Sequence, residues 1–160
     1  MKKDLVIKSA FEDGGYIPEE YTADGRDISP PLIIENVPKE AETLAVIVDD
    51  PDAPNGTFTH WLIWNIPADI SEIPKNIAKK EKVKELVGAL QGKNDFNKLG
   101  YLGPAPPSGV HTYRFYLYAL DDQLDLKAGA DKETLLKAME GHVLQKAVLK
   151  GEYTRWSNEH

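Results

Sequence analysis

Residues 110–120 read VHTYRFYLYAL, an eleven-residue run of aromatic and β-branched side chains with neither Gly nor Pro. Such a run suits a pleated, packed surface far better than a helix interior. A strand of this length cannot stand alone in water, so the rest of the chain has to supply partners for it. Four further segments answer that need. Residues 43–48 (TLAVIV) form an apolar run that stops at Asp49-Asp50-Pro51, and residues 59–66 (THWLIWNI) are closed by Pro67. Residues 5–7 (LVI) are a short opening strand, and residues 147–153 read as a closing strand because Gly151 argues against a helix there.

Helical signals are sparse and late. Asp131 is a plausible N-cap, and Leu135, Leu136, Met139 and Val143 follow at helical spacing, interrupted by Gly141. A second short helix fits residues 80–87. The class is therefore mainly β with one or two peripheral helices. The 160 residues contain no internal repeat or low-complexity linker and read as a single domain over 1–160.

Composition narrows the function. The chain has no cysteine, which excludes a disulfide scaffold, a thiolate metal site and a cysteine nucleophile. A net charge of −7 opposes general nucleic-acid binding, which needs a basic field. Lysines between 75 and 84 alternate with Glu81 and Glu85 and read as a solvated face. No signal-peptide core or membrane-length apolar run is present, so the expected location is the cytoplasm.

The candidate site lies at strand ends. Side chains alternate along a strand, so His111, Tyr113, Phe115 and Leu117 share one face, and His60, Leu62 and Trp64 share a face of their own strand. Both histidines follow loops dense in Pro and Gly, residues 50–54 (DPDAP) and 103–109 (GPAPPSG), which read as rigid pocket walls. A cis Ala53–Pro54 bond is expected in such a turn. Asp49, Asp50 and Asp52 are either a polar turn or the source of a carboxylate that orients a histidine; nearby His60 favours the second. Tyr113 adds a hydroxyl donor to the His111 face. His142 reads as a structural histidine, and terminal His160 as disordered.

Competing chemistries are weaker. Two histidines and a carboxylate have precedent as a metal site, but no close histidine pair is present, and none is assigned. Ser108, His111 and Asp50 can be drawn as a triad, yet no GxSxG elbow surrounds the serine. Phosphate-loop and dinucleotide fingerprints are missing, so no cofactor is expected.

The order of five segments carries a resemblance. They are ISPPL (28–32), DPDAP (50–54), His60-Trp61 with NIP (65–67), GYLGPAPP (100–107) and His111-Thr112-Tyr113. Together they resemble the phosphatidylethanolamine-binding protein (PEBP) family, most closely its prokaryotic Raf-kinase-inhibitor-like branch. Gln91-Gly92, Asn94-Asp95-Phe96 and residues 138–144 (AMEGHVL) look like that branch in particular.

The resemblance implies a PEBP-like antiparallel β-sandwich with a small pocket for phosphate, acetate or a phospholipid headgroup such as phosphorylethanolamine. By motif it places Asp50, His60, His111 and Tyr113 in that pocket, with a backbone N–H at Ala105 facing the anion and Pro54 and Tyr101 in the walls. Cationic histidines, the Tyr113 hydroxyl and that N–H would then hold the anion, and binding would weaken as pH rises. Where the family often has His-Arg-Tyr, this chain has Thr112, with Arg114 one place later and hence on the opposite strand face. The sequence ends soon after Trp156, which implies a pocket more open than in eukaryotic members. A regulatory, non-catalytic binding protein is the leading reading. An inhibitor or scaffold of a kinase or serine protease acting through its surface is the alternative, and a hydrolase the third; a homodimer is plausible by analogy with prokaryotic relatives.

Overall fold

A computed structural model describes residues 3–155; Trp156 and His160 lie outside the described residues. Nine strands and one α-helix are found among them. Strands β1 (Val6–Lys8), β2 (Leu32–Glu35) and β5 (Glu72–Ile73) form a small sheet in the order β1-β2-β5. The large sheet runs β6-β7-β4-β3-β8-β9. It comprises β3 (Thr43–Asp50), β4 (Phe58–Pro67), β6 (Lys82–Val83), β7 (Ala89–Gln91), β8 (His111–Leu120) and β9 (Val143–Tyr153). Neighbouring strands in both sheets pair antiparallel.

The large sheet is covered on both faces, which explains the uninterrupted apolar run of β3. On one face Leu44, Val46, Val48, Trp61, Ile63, Phe115 and Leu117 pack against Ile7, Leu32 and Ile73 of the small sheet. On the other, Ala45, Ile47, Leu62 and Trp64 pack against Leu135 and Met139 of α1 (Lys132–Met139). Asp131 caps α1, its side chain accepting from Thr134 N at 2.9 Å.

Three local expectations are corrected. Val143 belongs to β9 rather than to the helix, because Gly141 at φ 81° ends the helical path and turns the chain back onto β8. Residues 80–87 hold β6 and a single 3₁₀ turn (Lys84–Leu86), since Lys82 and Val83 gain a ladder with β7 that a helix would forgo. No cis peptide bond occurs among the described residues, so Ala53–Pro54 is trans; Gly56 at φ 107° makes the reversal, its N–H bonded to Ala53 O. Among the described residues, no helix is long and apolar enough to cross a membrane.

Candidate functional site

β3 and β8 are adjacent, with Asp49 paired to Arg114, so the end of β3 lies beside the start of β8. That adjacency brings Asp50 to His111 across 61 residues of sequence: Oδ2 accepts from His111 Nδ1 at 2.6 Å. Asp50 Oδ1 accepts from Asp52 N at 2.8 Å, so both carboxylate oxygens are occupied. Asp52 in turn accepts from Thr112 N at 2.8 Å and fastens the DPDAP loop to β8. The expected carboxylate–histidine pair is present, but its histidine is His111, not the sequence-near His60.

His60 is held differently. Along β4 the pairing steps from Val48↔Trp61 to Asp49↔Thr59, leaving His60 as an extra residue in a β-bulge. The bulge removes His60 from the face of Leu62 and Trp64, where strict alternation would place it. Its ring lies instead 5.2 Å from the Tyr113 ring, near-perpendicular, and 4.9 Å from Phe58. His60 Nδ1 lies 2.6 Å from Leu102 O, and because a carbonyl only accepts, Nδ1 carries the proton. Leu102 N donates back to His60 O at 2.9 Å. With only 6% of His60 exposed, burial pushes its pKa below the usual imidazole value. The Leu102 carbonyl and the charges of Asp50, Asp49 and Asp95 pull the other way and are outweighed.

Asp50, His60, His111 and Tyr113 form the polar part of a cavity of about 260 Å³. Burial, and secondarily Asp50, drive the Tyr113 pKa far up; Arg155 and the Ala105 backbone amide oppose them. Tyr113 therefore keeps its proton and remains a donor. Ala105 and Pro54 line the cavity as the motifs imply. Tyr101 does not: it is 1% exposed, donates to Tyr21 O at 2.6 Å and packs edge-on against Trp61 behind the wall. Ser108 is exposed and is not among the lining residues, and His142 pairs with Asp121 elsewhere.

The apolar half of the cavity is not among the lining residues that the motifs imply. Phe58, Phe96, Leu102, Pro106 and Pro107 line it alongside the polar groups. Phe58 faces Asp50 in the β3–β4 register, a relation visible once that hairpin is aligned. Phe96 arrives by a long route. Asn94 Oδ1 accepts from Phe96 N at 2.9 Å, and Asp95 exchanges two hydrogen bonds with Thr59, which docks this loop on β4. The two phenylalanine rings then meet edge to face at 5.2 Å.

Arg114 lies on the opposite sheet face, as its position predicts. Its Nε and Nη2 donate to Asp49 at 2.7 and 3.1 Å, and Lys132 Nζ of α1 joins the same carboxylate at 2.7 Å.

The sequence model described as phosphatidylethanolamine-binding protein matches residues 7–154. Among curated proteins, a UPF0098 protein of Pyrococcus horikoshii is 51% identical over 156 residues, covering 96% of this chain and 78% of the relative. A UPF0098 protein of Methanothermobacter thermautotrophicus is 55% identical over 146 residues, covering 91% and 95%. Among solved structures, a PEBP homolog from Chlamydia trachomatis superposes with a TM-score of 0.87 at 38% identity, covering 94% of this chain and 97% of that one. YbcL of E. coli, described as a member of the mammalian PEBP family, gives 0.86 at 27% identity, covering 94% and 98%.

Proposed function

Because the chain belongs to the phosphatidylethanolamine-binding protein family, we propose that it is a binding protein whose cavity takes a small acid by its phosphoryl or carboxyl head, without turning it over. One observation carries this reading: two imidazoles and a phenol from β4 and β8, with Asp50 held against one of the imidazoles, converge on one cavity that is apolar elsewhere. Nδ1 of each ring is already engaged by the protein, His60 with Leu102 O and His111 with Asp50, so Nε2 is the nitrogen left for a ligand. The Tyr113 hydroxyl supplies a third contact. No Ser, Thr or Lys is among the residues that line the cavity, so a seryl, threonyl or lysyl nucleophile is not at hand.

Binding of this kind is coupled to a proton. Neutral His60, with Nδ1–H given to Leu102, presents a bare lone pair at Nε2, which repels an anion. An arriving anion stabilises the imidazolium, or brings its own proton to that nitrogen. Either way one proton enters with the ligand, and affinity falls as pH rises. Thermal melts at pH 6 with phosphate, acetate and phosphorylethanolamine test the reading, since a ligand of the native state raises Tm. The expected result is a shift in the wild type that is lost in His60→Ala and in His111→Gln. Equal shifts in all three proteins would sink it, as would equal wild-type affinity at pH 5.5 and pH 8.

A further inference from the structure

The cavity's walls say more about the ligand than its floor does. Apart from Asp50, His60, His111 and Tyr113, no lining residue carries a polar side chain. Asp50 has both oxygens engaged, by His111 and by the Asp52 amide, and no other carboxylate lines the cavity. Beyond the imidazole floor, a ligand ammonium or hydroxyl group therefore meets no side-chain acceptor in the wall. Burying such a group unpaired is unfavourable by the ordinary desolvation penalty.

The wall offers aromatic and imino-acid surface instead. Phe58 and Phe96 meet edge to face at 5.2 Å, and Pro54, Pro106 and Pro107 complete the rim. Phe96 is 62% exposed, a large apolar side chain left in water, yet its loop is anchored by the Asn94 and Asp95 hydrogen bonds. These surfaces are rigid as well as apolar, because proline backbone and a docked phenylalanine lose little freedom when a ligand arrives. Planar apolar groups pack well on such faces.

Resting on the acid-binding reading above, we infer that the ligand is an acid with a compact planar apolar group attached directly to its head, of the aryl phosphate or aryl carboxylate class. The head meets the two imidazoles and Tyr113, and the ring lies against Phe58, Phe96 and the prolines. Free phosphate and a phosphorylethanolamine headgroup fill only the floor.

Calorimetric titration at pH 6 with matched pairs tests this: phenyl phosphate against methyl phosphate, benzoate against acetate, with phosphorylethanolamine and benzyl alcohol as separate arms. Each aryl acid is expected to bind about tenfold or more tightly than its methyl partner. Phe96→Ala, a change at an exposed position, is expected to narrow that ratio to about threefold or less, with the melting temperature reporting an intact fold. Equal affinity of aryl and methyl acids, or a tighter phosphorylethanolamine, would overturn the ligand class and leave acid binding standing. Benzyl alcohol binding as tightly as the aryl acids, or binding by none of the acids, would overturn both.

Discussion

Asp49 and Asp50 are consecutive residues of β3, yet their carboxylates serve opposite faces of the sheet: Asp50 Oδ2 lies 2.6 Å from His111 Nδ1, and Asp49 Oδ1 lies 2.7 Å from Arg114 Nε. The alternation of a strand thus divides one acidic pair between the cavity and the seat of α1. Both carboxylates are nearly inaccessible to solvent. Each is consequently sensitive to loss of its partners, and the two losses should read out in different places.

Replacing Asp50 by Ala strips His111 Nδ1 and the Asp52 amide of their acceptor inside the cavity wall. A buried donor left unpaired costs about 1–3 kcal/mol. Urea unfolding of Asp50→Ala is expected to show a loss in that range, and the phosphate-induced rise in Tm should fall below half of the wild-type value. A variant with full stability and full ligand response would remove Asp50 from the site.

Asp49→Ala acts on the other face. It leaves Arg114 and Lys132 as unmatched cations; each keeps over a quarter of its side chain in solvent, which softens the effect to about 2 kcal/mol. Since Lys132 opens α1, amide exchange should quicken in residues 132–139 first. Uniform protection across α1 in the variant would contradict this tether.

His60 links stability to pH. Its folded-state pKa is lowered from 6.5, chiefly by burial, so between the lowered value and 6.5 the unfolded chain binds more protons than the folded one. The contribution is complete above pH 6.5 and is lost as pH falls through the folded pKa. Ligand-free protein should therefore lose stability on acidification below about pH 6.5, and His60→Gln should lose less over the same interval. Denaturant melts of both proteins between pH 7.5 and pH 4.5 decide it; parallel curves would clear His60. Saturating phosphate should flatten the wild-type loss, because the bound anion favours the imidazolium.

Gly151 sits opposite Tyr113 in the β8–β9 register, where a Cβ would lie 2.6 Å from both Ile17 Cγ1 and Phe11 Cε2. The restriction is one of space rather than of backbone angle. Gly151→Ala should destabilise the protein by about 1–3 kcal/mol through displacement of those two side chains. Unfolding of the variant in urea measures it, and an unchanged midpoint would mean that the N-terminal segment yields freely.

Much of this molecule is local and was legible in the chain. The four main strands, the capped helix at Asp131 and the rigid loops at residues 50–54 and 103–109 follow from propensity, alternation and the restricted torsions of Gly and Pro. The motifs in their order carried the family, and with it the sandwich and the group Asp50, His60, His111 and Tyr113. What alternation could not supply was the side on which His60 points, because one extra residue in a bulge reverses a face without changing strand character. Nor could proximity choose the partner of Asp50. His111, 61 residues away, prevails over His60 because β3 hydrogen-bonds to β8, whereas His60 finds the Leu102 carbonyl first. The apolar wall depended on tertiary structure in the same way: Phe96 reaches Phe58 only through the docking of a distant loop on β4. Period and propensity act between neighbours in the chain, while a site is made by whichever strands the whole sheet places side by side.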